Sequence, residues 1–265
     1  MRNYQAIVLV SFGVSESKTR EKSIDLLFSE LKEEFNDQTI VLAYTSEIIR
    51  SILDKKGERV FNVPEALDYL KKQGIKRVFL QPTHLIAGEE YHKIISYLQD
   101  YADDFEVLSL GSPLLDKPED YQSVANIMAK AYPLKTGEAL FLMGHGSEHG
   151  MNAAYPALAF EFLRSYPNIF LGTVEGYPAF SDALGMLKAY EEKEGAIKKI
   201  YLAPLLFVAG EHAHNDMNDS SLEKSWRSQL EALGYEIEGM LQGMGELPEI
   251  RELYRDHIKR KFHRF

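Results

Sequence analysis

The chain has 265 residues, 45% of them hydrophobic and 26% charged, and carries a formal net charge of −10. That length buries a substantial core as one large domain or two small ones, and the acidic balance offers no overall basic field for nucleic acid or an anionic membrane surface. Cysteine is absent, which excludes disulfides, thiolate zinc sites, iron–sulfur clusters and cysteine nucleophiles.

Short apolar runs alternate along the chain with longer stretches of helical period. The first run, Ala6 to Val10, is five residues long, too short for a signal-peptide core or a bilayer span, so a cytoplasmic protein is expected. Further runs predict strands at Thr39–Ala43, Arg77–Leu80 and Glu106–Leu110, then at Ala139–Met143, Ile169–Val174, Lys199–Val208 and Tyr235–Leu241. Amphipathic stretches such as SIDLLFSELKEEF and FSDALGMLKAYEEKEG lie between them. Strand alternating with helix predicts parallel sheets covered on both faces. The final charged segment, Pro248 to Phe262, has a helical pattern that fits either half.

The two halves share their punctuation. IKRVFLQPTHLIAGEE from Ile75 aligns with IKKIYLAPLLFVAGEH from Ile197, LVSFG (Leu9–Gly13) with LMGHG (Leu142–Gly146), and Thr45–Glu47 with Thr173–Glu175. Three matches in one order predict a duplicated four-stranded α/β unit, with domains at 1–128 and 129–265 and a linker near Tyr132–Glu138.

Parallel sheets bind ligands beyond the carboxyl ends of their strands, and three strand ends of the second half carry His145, Glu175 and His212. Each alone also fits a bland role: an exposed turn imidazole, a solvated or helix-capping carboxylate, an ordinary loop histidine. Neighbouring strand ends lie about 5 Å apart, or about 10 Å with one strand between. Two imidazoles and a carboxylate can therefore converge on one divalent transition metal and leave coordination positions open. Imidazole also accepts protons near neutral pH. His214 sits two positions from His212 and faces elsewhere on a helix. Glu211 and Asp216 are expected to cap a helix beginning near Asn218. His257 and His263, in the charged terminal helix, are expected to be solvated. A competing reading takes Gly144, Gly146 and Gly150 as a variant dinucleotide fingerprint with Glu175 on the ribose, although Glu148 in that loop would oppose a pyrophosphate. No G-x-S-x-G elbow occurs.

The motifs VSFG, HLIAGEEY, MGHG, VEGYP and LLFVAGEHAHNDM together resemble the class II tetrapyrrole chelatases, and most of all the anaerobic sirohydrochlorin cobaltochelatases of cobalamin biosynthesis. The resemblance covers essentially the whole chain. It implies two flavodoxin-like, Rossmann-like parallel-sheet domains with the macrocycle in the cleft between them. The implied enzyme is an ATP-independent lyase, assembled as a homo-oligomer, that inserts Co²⁺ into sirohydrochlorin or precorrin-2. Carried over by position, the proton acceptor and metal ligand falls on His145, the ligand carboxylate on Glu175 and the second ligand histidine on His212. Macrocycle contacts fall on Ser11, Phe12, Gly13, His84, Glu89 and Glu90. His214 occupies a variable position of the last motif. Imidazole and carboxylate accept Fe²⁺ and Ni²⁺ as readily, so a chelatase for those ions and a non-catalytic metal or tetrapyrrole carrier are the alternatives. Arg50, Lys55 and Lys56 are candidate partners for the macrocycle carboxylates, or else form a solvated basic face.

Overall fold

A computed structural model describes residues 5–262. The chain divides into two compact units, Met1–Asp116 together with Pro248–Phe265, and Lys117–Leu247.

The first unit runs β1 (Ala6–Ser11), α1 (Ser17–Lys22), α2 (Ile24–Glu34), β2 (Thr39–Tyr44), α3 (Glu47–Lys55), α4 (Val63–Lys72), β3 (Arg77–Pro82), α5 (Glu89–Asp100) and β4 (Val107–Leu110). The second runs α6 (Pro118–Ala131), β5 (Glu138–Gly144), α7 (Ala154–Ser165), β6 (Ile169–Thr173), α8 (Phe180–Glu194), β7 (Lys199–Pro204), α9 (Trp226–Ala232) and β8 (Glu236–Gly239). The last helix, α10 (Pro248–Phe262), returns to the first unit.

Each unit holds a four-stranded sheet, ordered β2-β1-β3-β4 and β6-β5-β7-β8, in which every pairing is parallel. The two orders are the same order, as the repeated motifs predict. In the first unit, Ala6, Val8 and Val10 of β1 pack with Val78 and Leu80 of β3 against Ala66, Leu67 and Leu70 of α4. The side chains of β1 are buried throughout, which is why its sequence is an unbroken apolar run rather than an alternating one. In the second unit Phe141 lies within 5.7 Å of the Phe180 and Trp226 rings, centroid to centroid. This cluster seals one face of the sheet with α8 and α9.

All eight expected strands are present, with shifts at their ends. The largest is at β7, expected to reach Val208 but ending at Pro204. The apolar residues beyond it form a packed loop in which Leu205 and Ala209 are buried and Leu206, Phe207 and Val208 half-buried. The Leu206 and Phe207 carbonyls accept the Met244 and Gly245 N–H groups, and side chains at Gly243 or Gly245 would collide with residues 207–209. The run is apolar because this loop is packed, not because it is a strand.

The expected boundary between residues 128 and 129 falls inside α6, and the Tyr132–Glu138 stretch connects α6 to β5 within the second unit. Helix α6 buries Val124, Ala125 and Met128 and packs against α7, so it belongs to the second unit. Helix α10 is held to the first by charge and packing together. Arg251 donates to Glu30 on α2 at 2.8 Å, and Arg255 and Lys259 pair with Glu34 one turn on. Ile250, Tyr254 and Ile258 are buried beneath them, and the Tyr254 hydroxyl donates to the Thr83 carbonyl at 2.8 Å. His257, expected to be solvated, is 5% exposed, because it lies on the same helical stripe as those three residues. His263 lies outside the described residues.

Candidate metal centre

The strand register sets the site. In the second sheet Gly144 of β5 is level with Thr173 of β6, and Met143 with Pro204 of β7. His145 follows β5 directly, Glu175 is two residues beyond β6, and His212 lies eight residues beyond β7 at the end of the packed loop. One ligand atom from each of His145, Glu175 and His212 lies within 4.8 Å of the others. The two imidazole rings meet edge to face, centroids 4.8 Å apart at 88°. His145 Nδ1 is 3.7 Å from Glu175 Oε2. All three side chains are partly solvent-accessible, so an incoming ion can reach them.

Backbone contacts hold the first two strand ends together. The His145 carbonyl accepts N–H groups from Val174 (3.1 Å) and Glu175 (2.8 Å). Gly146 adopts φ +82°, and a Cβ there would stand 2.6 Å from the Gly176 nitrogen, so only glycine permits this crossing. Below the loop Tyr155 is buried. Burial pushes its phenol up to about 12, opposed by hydrogen bonds from the Gly146 and His145 backbone.

Asn152 is a positioning residue that sequence reasoning missed. Its Oδ1 accepts from Ser147 N–H at 3.0 Å and its Nδ2 donates to the Tyr177 carbonyl at 2.7 Å. One amide thus joins the loop carrying His145 to the loop carrying Glu175. Its only sequence signal is an Asn just ahead of a helix start, which reads first as a cap. Met151 and Tyr177, on the same two loops, are 40% and 60% exposed.

The third strand end departs from expectation. No helix begins near Asn218; α9 starts at Trp226 with Ser225 as its cap. Residues Ala213–Met217 form a π-helical turn, a widened geometry found often at functional sites. Asp216 caps nothing there. It hydrogen-bonds His212 Nδ1 at 2.6 Å. Glu211 and His214 are exposed, and His214 is not among the converging groups.

The remaining residues lie in the first unit. Ser11 is buried and accepts a hydrogen bond from the Thr83 hydroxyl at 3.0 Å, so its side chain ties strand ends together. Gly13 takes φ +104° with the Tyr44 ring 2.5 Å from where a Cβ would be. Phe12 is 48% exposed and Glu89 is exposed at the start of α5. Glu90 pairs through Oε1 with Lys93, while its Oε2 is buried without a hydrogen-bond partner. His84 is partly exposed as a residue, yet both ring nitrogens are shut off from solvent and make no hydrogen bond. Desolvation lowers its pKa to about 4, against the opposing pull of Glu90. Arg50 is engaged with Glu47, Glu65 and the Val60 carbonyl, and Lys56 with the Ser15 carbonyl, so both are already committed inside the protein.

An open His/Glu/His set at the strand ends of a parallel sheet is a donor set that could hold a divalent transition metal, and it sits in a doubled fold of the class II chelatase kind. Solved structures share that fold. SirB from Bacillus subtilis with Fe³⁺ matches at TM-score 0.62 and 15% identity, over 97% of this chain and 94% of its own. CbiX, described as the terminal enzyme for biosynthesis of siroheme in denitrifying bacteria, matches at 0.56 and 13%, over 97% and 98%. The cobalt chelatase (CbiK) family model matches residues 5–263. Sirohydrochlorin cobaltochelatase of Salmonella typhimurium is 33% identical over 96% of this chain and 95% of its own length. Sirohydrochlorin cobaltochelatase CbiKC of Nitratidesulfovibrio vulgaris is 30% identical over 96% and 89%. The chain belongs to the cobalt chelatase (CbiK) family. It is a cobaltochelatase, an enzyme of tetrapyrrole metallation in cobalamin biosynthesis. Among the described residues no helix is long and apolar enough to cross a membrane.

Proposed function

We propose that this chain inserts Co²⁺ into sirohydrochlorin, or its precursor precorrin-2, without ATP and as a homo-oligomer. His145, Glu175 and His212 carry the reaction. The observation that supports this most is the convergence of the three groups within 4.8 Å.

Metal insertion has two obstacles: two pyrrole N–H protons must leave, and the ion must shed water while remaining held. His145 Nδ1 lies 3.0 Å from the Gly146 carbonyl oxygen. A carbonyl only accepts, so neutral His145 carries its proton on Nδ1 and keeps the Nε2 lone pair to take the two pyrrole protons in turn, releasing each to solvent. Glu175 and His212 replace water on Co²⁺ while leaving coordination positions for the macrocycle nitrogens. Met151 and Tyr177, exposed on the loops that also carry His145 and Glu175, are candidate apolar contacts for the macrocycle. Bending the macrocycle would aim its lone pairs at the metal, driven by contacts remote from the reacting nitrogens.

The test is purified protein with sirohydrochlorin and Co²⁺ in the absence of ATP, followed by the change in macrocycle absorption. Turnover is expected, and His145→Ala should lower it by about 10²- to 10⁴-fold, the range for loss of a general base. Wild-type turnover in that variant removes His145 as the base. A strong preference for Fe²⁺ in a metal competition overturns Co²⁺ as the preferred ion.

A further inference from the structure

We infer that Asp216 is a positioning residue that fixes the tautomer of His212, so that the two histidines of the site are held for different tasks. The inference rests on His212 being a metal ligand, as proposed above.

Its Oδ2 lies 2.6 Å from His212 Nδ1. An ionised carboxylate only accepts hydrogen bonds, so the proton of neutral His212 sits on Nδ1 and its lone pair on Nε2. Free imidazole exchanges between both tautomers; here one is selected before any ion arrives. A carboxylate behind a metal-binding histidine also raises the basicity of the coordinating nitrogen. Ring and carboxylate are four residues apart and partly exposed, and the turn that joins them is the π-helical segment Ala213–Met217. The buried side chains of Ala213 and Met217 anchor that turn, so Asp216 is held by the fold and not by the ion.

His145 differs in what stands behind it. Its Nδ1 faces a neutral carbonyl, that of Gly146, at 3.0 Å. Both rings thus offer Nε2, but only His212 is backed at hydrogen-bond distance by a negative charge. His212 is thus preset by Asp216 to present Nε2 to the ion, while His145, whose Nδ1 bonds only a backbone carbonyl, is the group proposed above to take up pyrrole protons. Residues that back a ligand in this way typically change metal affinity by about 10- to 100-fold when removed.

The experiment uses the full chain with ¹⁵N-labelled histidine and compares wild type, Asp216→Ala, Asp216→Asn and His212→Ala at pH 8. Long-range ¹H–¹⁵N spectra without metal report which nitrogen of His212 is protonated, and titration with Co²⁺ alone reports affinity. Wild type should show a protonated Nδ1. Asp216→Ala should lose that preference and bind Co²⁺ about 10- to 100-fold more weakly. Asp216→Asn, whose amide oxygen still accepts the N–H, should keep the tautomer with intermediate affinity. An unchanged His212 tautomer together with wild-type Co²⁺ affinity in Asp216→Ala overturns the inference. Wild-type affinity in His212→Ala instead removes His212 as a ligand, while the metal-free spectra still judge Asp216. Asp216 is 47% exposed, so its variants are expected to fold, and their melting temperatures check this.

Discussion

His145, Glu175 and His212 are proposed to supply the chemistry, and the single side-chain amide of Asn152 ties the loops that carry the first two. Replacing Asn152 with alanine leaves the Ser147 N–H and the Tyr177 carbonyl without their partners. At this partly exposed position the expected loss is about 1–2 kcal/mol of stability. Turnover should fall more than stability implies, because an error of about 1 Å in a reacting group can cost about 10²-fold. Urea unfolding and steady-state rates on one preparation separate the two. His84 contributes differently. Its folded pKa of about 4 lies below the ordinary value of about 6.5, so the unfolded chain takes up this proton first as pH drops. Stability from the neutral ring is therefore complete above about pH 6.5, declines as the solution is acidified, and is fully lost below about pH 4. The difference is on the order of 3 kcal/mol. Chemical unfolding of wild type and His84→Phe between pH 7 and 4 should show a shallower decline in the variant; parallel curves would mean that His84 titrates normally.

At the scale of elements, the C-terminal helix is the informative case. Arg251 is 6% exposed and bonds Glu30 through Nε, while Arg255 approaches Glu30 and Glu34 at 3.8 and 3.6 Å. Losing a charged hydrogen bond at a buried position costs about 1.5–3 kcal/mol. Arg251→Ala should therefore lower stability by about 2 kcal/mol, whereas Lys259→Ala, on the exposed end of the same ladder, should cost under about 1 kcal/mol. Denaturant midpoints rank the two, and equal losses would show that packing alone docks the helix. The charges of α10 were plain in the sequence; what they face was not, since a helical period identifies a buried stripe without naming the surface that covers it. The same limit explains β7, where a continuous apolar run identifies burial but cannot tell a strand from a packed loop. The convergence of His145, Glu175 and His212 was legible because parallel strand ends lie side by side. Asp216 was not, since a carboxylate near an expected helix start reads as a cap until a π turn brings it to His212.

At the scale of the whole molecule, the excess of 40 acidic over 30 basic residues acts in opposite directions on the two substrates. Co²⁺ is a cation, whereas sirohydrochlorin is a polycarboxylate. The loops around the metal site sharpen the contrast, since they hold Glu148, Glu175, Glu211 and Asp216. An acidic field concentrates the ion and repels the macrocycle, and salt weakens both effects once the screening length falls below the distance over which they act, about 10 Å at 0.1 M. Raising NaCl from 10 to about 300 mM should therefore raise the apparent KM for Co²⁺ and lower that for sirohydrochlorin. Initial rates with one substrate varied and the other saturating measure each directly. If both constants rise with salt, cations local to the macrocycle outweigh the net charge. If the constant for Co²⁺ does not change, the ion is captured by coordination alone, with no help from the field.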